Sequence, residues 1–198
     1  MVVDVTLLTD LSTLDGSGLL PSVGTSLVTS RAEAAVLLDA PQPISTIRIE
    51  TNVQRALDAV YHDGFLWIVS TSFGTTLTRG YFHKVSVSYN AGTGSLSAAL
   101  VDQGYISASD ISVGTFTYSP SVAVNNQGLA VFGFSASSPT VFAGAYATFL
   151  KPSDPPGTGV GPSLEVKRGE DWYAQDFRSG RYRWGDYSGI SVDPTDEN

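Results

Sequence analysis

The stretch Val53–Tyr105, VQRALDAVYHDGFLWIVSTSFGTTLTRGYFHKVSVSYNAGTGSLSAALVDQGY, carries the reading that decides the fold. An apolar run, Ala56–Tyr61, meets a tight polar turn at His62-Asp63-Gly64, and a second run, Phe65-Leu66-Trp67-Ile68-Val69, follows. Beyond a loop rich in Ser, Thr and Gly, Tyr81–Tyr89 alternates His83, Val85, Val87 and Tyr89 against Lys84, Ser86 and Ser88, the period of a strand. The Asn90-Ala91-Gly92-Thr93-Gly94 turn leads into a fourth run, Leu96–Val101. Four short strands joined by turns predict an antiparallel meander.

Working outward, the rhythm restarts after a connecting loop at Ser107–Thr115. Phe116–Val124 gives one run, Asn125–Gly128 a turn, Leu129–Ser135 a second run, Thr140–Leu150 a third and Leu164–Lys167 a fourth. KPSDPPGTGVGPS, between the last two, reads as a surface loop from its Pro and Gly density. The two units overlay at their turn glycines, Gly64 and Gly128, which lie 64 residues apart (128 − 64). Repeated four-stranded meanders are the units of a β-propeller, and blades of roughly 40–50 residues with enlarged loops fit this period.

The two ends extend that reading. Val2–Thr9 favours a strand, Leu19–Thr29 a loop with a short strand, and Ile44–Glu50 (ISTIRIE) a strand. Ser30–Leu38 is open between a helical turn capped by Ser30 and Glu33 and a strand, with Pro41 and Pro43 ending either. At Trp184–Pro194 the pattern of an innermost strand reappears, SGISVD against PSVAVN. The expectation is therefore an all-β chain of about three blades: an incomplete blade with a loop over 1–52, blades over 53–115 and 116–180, and a first strand over 181–198 that joins the N-terminal strands in one sheet. So few blades leave open strand edges, which predicts self-association or a place in a larger propeller.

Composition narrows the function classes. The chain has 198 residues, 42% of them hydrophobic and only 15% charged, so it can bury a substantial core beneath a Ser/Thr/Gly/Asn surface. That pattern fits an extracellular all-β protein. A net charge of −8 argues against nucleic acid and anionic membranes as partners. No cysteine is present, which removes disulfides, thiol catalysis and zinc–thiolate sites. The longest apolar stretch, Val141–Leu150, is too short to span a bilayer, and the opening MVVDVTLLTD lacks the basic start of a signal peptide.

RYRWGDYSGISVDPTDEN, at residues 181–198, resembles the Arg-Trp-Gly-Asp-Tyr-Ser-Gly…Val-Asp-Pro motif of sialidase-like β-propeller regions in secreted bacterial proteins, and Asp58–Trp67 resembles their blade starts. The resemblance covers about 53–198 and is specific at 181–194. It implies a propeller in an extracellular setting and no particular reaction. The Asp-box of true sialidases, Ser-x-Asp-x-Gly-x-Thr-Trp, is not matched, because Asp63, Gly64 and Trp67 have a different spacing.

Arg55 and Asp58 share an Arg-x-x-Asp spacing with Arg183 and Asp186. First strands line the channel of a propeller, where an Arg would clamp a carboxylate and Asp186 with Tyr187 would serve acid/base or nucleophilic chemistry on a sugar. The competing reading is an Arg–Asp pair or a backbone contact that ties neighbouring blades, and it is preferred because glycosidases need two placed carboxylates or their equivalent. Trp172 and Tyr173, in a loop, are the candidates for an exposed ligand-binding face, whereas Trp67 reads as core. His62 and His83 are too few for a metal site or a triad. Asp193, Asp196, Glu197 and Asn198 offer oxygen ligands for calcium without the spacing of a calcium loop, so a solvated tail is preferred and no cofactor is expected. Glycine-rich phosphate loops, nucleophile elbows and basic patches are missing. The expectation is a binding or assembly module for a glycan or a protein, with a sialidase-like glycoside hydrolase as the alternative.

Overall fold

Asp63 and Gly64 both adopt positive φ (46° and 79°), so they close a two-residue hairpin whose twist matches the flanking strands. This hairpin starts the first of two four-stranded antiparallel sheets in the computed structural model. The structure describes residues 37–195 except 53, 75, 91, 92, 94, 177–179 and 181, together with the backbone of β1 (Val2–Leu8) and β2 (Val23–Thr29).

The first sheet runs in sequence order through β3 (Ala56–His62), β4 (Phe65–Phe73), β5 (Thr78–Asn90) and β6 (Ser95–Ile106). The second repeats the plan with β7 (Phe116–Val124), β8 (Ala130–Ser138), β9 (Val141–Leu150) and β10 (Leu164–Lys167). All eight runs expected over 53–167 are therefore strands, and the chain is all-β. Two such sheets, not three, are present among the described residues.

The sheets pack face to face because each offers one dense apolar face. Trp67 and Val69 on β4, Phe82 on β5 and Ile106 meet Val122 and Val124 on β7, Phe132 and Phe134 on β8, and Leu150 on β9. At the centre the Phe132 ring lies 6.1 Å from Trp67 and 5.2 Å from Phe82. Polar side chains stitch one end of the interface: the Thr117 hydroxyl donates to the Ile106 carbonyl (2.6 Å) and accepts from the Gly80 N–H (2.8 Å). Pro120 is tolerated inside β7 because a bulge there, between Tyr118 and Ser121, interrupts the ladder. The Pro/Gly-rich loop after β9 lies on the surface as expected and is pinned to the first sheet and to the loop that follows it. Asp102 accepts the Gly157 N–H, and Asp110 accepts both the N–H and the hydroxyl of Ser163.

Two expectations at the ends need correction. Ile44–Glu50 is not a continuous strand: its backbone pairing is confined to its end, where Ile49 exchanges hydrogen bonds with Ala40 (2.7 and 2.8 Å) and the Glu50 N–H donates to the Tyr182 carbonyl (2.8 Å). Pro41 and Pro43 lack the N–H groups a ladder needs, and Ile44 sits at φ 50° with its side chain in solvent. Trp184–Pro194 is likewise not a strand. The Ser188 hydroxyl reaches the Ser119 carbonyl (2.6 Å) and the Ser121 hydroxyl (2.9 Å) of the second sheet, and Asp193 alone in the segment makes a β-bridge, so no continuous ladder forms. Among the described residues β1 and β2 pair as a separate two-stranded sheet, with β2 against β6. The middle segment meets the C-terminal one through a parallel bridge, Glu50 to Arg183, and through the Gln42 and Asn52 side chains. Val2–Thr9 and the short strand within Leu19–Thr29 are present as β1 and β2. Residues 30–36, where helix and strand competed, lie outside the described residues.

Candidate functional site

Five side chains with chemical potential were read from the sequence, and four of them gather where the segments before β3 and after β10 meet. The backbone around them turns sharply. The Tyr187 N–H donates to the Gly185 carbonyl across a three-residue turn in which Asp186 holds φ 55°. That turn points the Asp186 carboxylate back at Arg183, whose guanidinium meets it as a fork: Nε to Oδ1 at 2.7 Å, with the second arm from Nη2 to Oδ2. The neighbouring Arg55 donates from Nη2 to the Tyr187 hydroxyl, with its guanidinium 5.3 Å from the Tyr187 ring centre. Asn52 adds a bond from its side-chain amide to the Asp186 carbonyl, at 3.5 Å.

Asp58 does not join them. Its Oδ1 accepts the N–H of Ala59 (2.8 Å), and its Oδ2 reaches across to the N–H of Val122 on β7 (3.0 Å). The same Arg-x-x-Asp spacing therefore gives a closed ion pair at 183–186 and an inter-sheet backbone tie at 55–58. The reason is local: Arg183 and Asp186 flank a turn, while Asp58 follows a bulge in β3 and is held by the strand.

Beside the ion pair, Tyr173, Arg183, Gly185 and Asp186 line an open pocket of about 190 Å³. Tyr173 is half-buried, not an exposed platform. Its ring stands edge-on to Trp184 with centroids 5.1 Å apart, and burial and the Asp186 carboxylate both push its phenol pKa up. The Gln42 side chain holds its backbone from both sides, accepting the Tyr173 N–H and donating to the Tyr173 carbonyl, each at 2.7 Å. Trp172 points outward with 43% of its surface exposed, whereas Trp67 is 3% exposed and belongs to the core. Trp172 and Tyr173 thus divide between surface and support.

A second cleft, also of about 190 Å³, opens where the β3–β4 and β7–β8 hairpins stand side by side, lined among others by His62, Asp63, Phe65, Lys84, Asn126 and Gln127. The Lys84 ammonium lies 4.5 Å from the Phe65 ring centre and 4.8 Å from that of Trp67. Sequence reasoning passed over this grouping. The Asp63-Gly64 turn signals the β3–β4 register, but Lys84 stands opposite Trp67 through the β4–β5 register, which is set beyond a longer connection.

Asp193 accepts the N–H and the hydroxyl of Thr195, at 2.8 and 2.7 Å, in a local turn; Asp196, Glu197 and Asn198 lie outside the described residues. Among the described residues no three His, Cys, Asp or Glu side chains converge to hold a metal. No helix there is long and apolar enough to cross a membrane, which leaves strand-built membrane proteins aside. No protein-family model, curated protein or solved structure matches the chain.

Proposed function

We propose that the chain is a β-propeller-type module, extracellular in setting, that binds a glycan or a protein and assembles with further blades. The observation that carries this reading is a repeated backbone device. Asn52, Ser119 and Asp186 all adopt left-handed φ (68°, 49° and 55°), and the same interval separates the first from the second and the second from the third. Asn52 precedes β3 and Ser119 sits at the bulge of β7, each at the head of a four-stranded unit. Asp186 stands at the head of the segment Ser188–Asp193.

The turn that ends the first segment of the second unit recurs after Ser188–Asp193. Asn125 accepts the Gln127 N–H through its side-chain oxygen (3.1 Å), as Asp193 accepts that of Thr195. By this reading the segment from Asp186 is the start of a third unit, laid on the face of the second sheet as β7 is laid on the first. A non-glycine residue at positive φ is costly enough that three at equal intervals point to one repeating architecture. The same geometry favours binding over hydrolysis. Arg183 and Asp186 neutralise each other, and Asp58 is occupied by two backbone N–H groups, so these carboxylates are not poised as a pair about a glycosidic bond.

Light scattering over a concentration series tests the assembly. The expected result is a discrete closed oligomer, in which other copies supply the remaining blades. A stable, soluble monomer at every concentration would overturn it. Trp172 is the aromatic presented for ligand, and a Trp172→Ala variant is expected to lose binding in a glycan or protein capture screen while folding normally. The hydrolase alternative predicts turnover that Asp186→Asn abolishes without unfolding the chain.

A further inference from the structure

We infer that the cleft between the β3–β4 and β7–β8 hairpins is a binding site for a single sugar-acid residue, with Lys84 receiving its carboxylate. The cleft needs only the two sheets, so this inference stands apart from blade number and assembly. Lys84 is half-buried and makes no ion pair among the described residues; its ammonium rests on the Phe65 and Trp67 rings. Rings attract a cation through their faces but accept none of its N–H bonds in the ordinary sense. They hold the ammonium in place while leaving its donors for an acceptor in the cleft. The nearest carboxylate across the ladder, Asp102, is directed elsewhere, with Oδ1 accepting the N–H groups of Gln103 (2.8 Å) and Gly157 (2.9 Å).

The chemistry of the walls defines the ligand. One cation, with the Asp63 carboxylate nearby on the rim, suits a monoanion and not a phosphate dianion or a polyanion. The faces on which a neutral sugar would stack are covered by Lys84 itself. His62, Asn126 and Gln127 give the rim polar groups suited to a hydroxyl-bearing body. At about 190 Å³ the cleft is below the roughly 300 Å³ at which drug-sized pockets begin, so it takes one ring and not an oligomer.

Titration of the isotope-labelled chain with glucuronate, followed by backbone amide NMR, tests the inference. Saturable shifts centred on Asp63, Lys84 and Gly128 are expected, with Kd on the order of 1 mM. Lys84→Gln should weaken binding by about tenfold or more, and Lys84→Arg should retain most of it. Glucose should not saturate, and acetate should bind more weakly than glucuronate. A dispersed spectrum for each variant shows that it remains folded. Failure of glucuronate to saturate, equal binding by Lys84→Gln, or glucose matching glucuronate would overturn the site. Acetate matching glucuronate would overturn the sugar as its ligand.

Discussion

His83 shows how burial turns one side chain into a pH-dependent term in stability. It is fully buried on β5, its ring 4.9 Å from that of Tyr81, and burial lowers its pKa from 6.5 to about 4. The folded state therefore takes up its proton at lower pH than the unfolded state. The neutral imidazole's contribution is fully present above pH 6.5, declines as pH falls towards 4, and levels off below that. The loss is on the order of 3 kcal/mol. Urea midpoints measured between pH 7 and 4 should fall accordingly, and His83→Gln should flatten most of that slope. An unchanged slope in the variant would place the titrating group elsewhere. The sequence marked His83 as a strand residue, but alternation alone cannot say which face of a sheet is covered. Its burial, like the partition of Asp58 from Arg55, depends on what packs against the strand.

Among the elements, legibility followed the source of the hydrogen bonds. β7 and β10 run over the residues expected because punctuation in the sequence bounds both: the Asn125–Gly128 turn for one, a Pro/Gly loop for the other. Ile44–Glu50 and Trp184–Pro194 alternate just as well and are not strands, because alternation describes side chains while a strand also needs a backbone partner. The β9–β10 region illustrates such a partnership at close range. A Cβ on Gly169 would stand 2.3 Å from the Ala143 carbonyl oxygen and 2.8 Å from the Phe142 Cβ, so the chain can cross there only as glycine. Gly169→Ala should cost roughly 2 kcal/mol or more in chemical denaturation. Gly157→Ala, where a Cβ meets nothing within 4 Å and only the backbone at φ 84° resists, should cost about 1–2 kcal/mol. If the two variants were equally stable, the close approach at Gly169 would not be a constraint.

For the molecule as a whole, the question is whether two sheets of similar plan unfold as one body or as two. Their sequences suggested separate units, because the rhythm restarts cleanly at Phe116, and nothing in either run announces its mate. The packing argues the other way. One apolar core draws on both sheets, and Phe132 of the second contributes a ring to an aromatic group whose other members, Trp67 and Phe82, belong to the first. Neither sheet can bury that face alone. The polar ties add to this coupling, since the Asp58–Val122, Thr71–Ser119 and Asp102–Gly157 bonds each cross from one unit to the other. Unfolding in urea should therefore be a single transition, with tryptophan fluorescence and far-UV circular dichroism superimposing. Phe132→Ala should remove about 3–5 kcal/mol. It should shift both signals together, although the substitution lies in the second sheet and the interface tryptophan in the first. Two resolved transitions in the unmodified chain would mean that the sheets fold independently and that the shared core contributes little to either. Coincident curves would make the sheet pair the smallest cooperative unit of the fold.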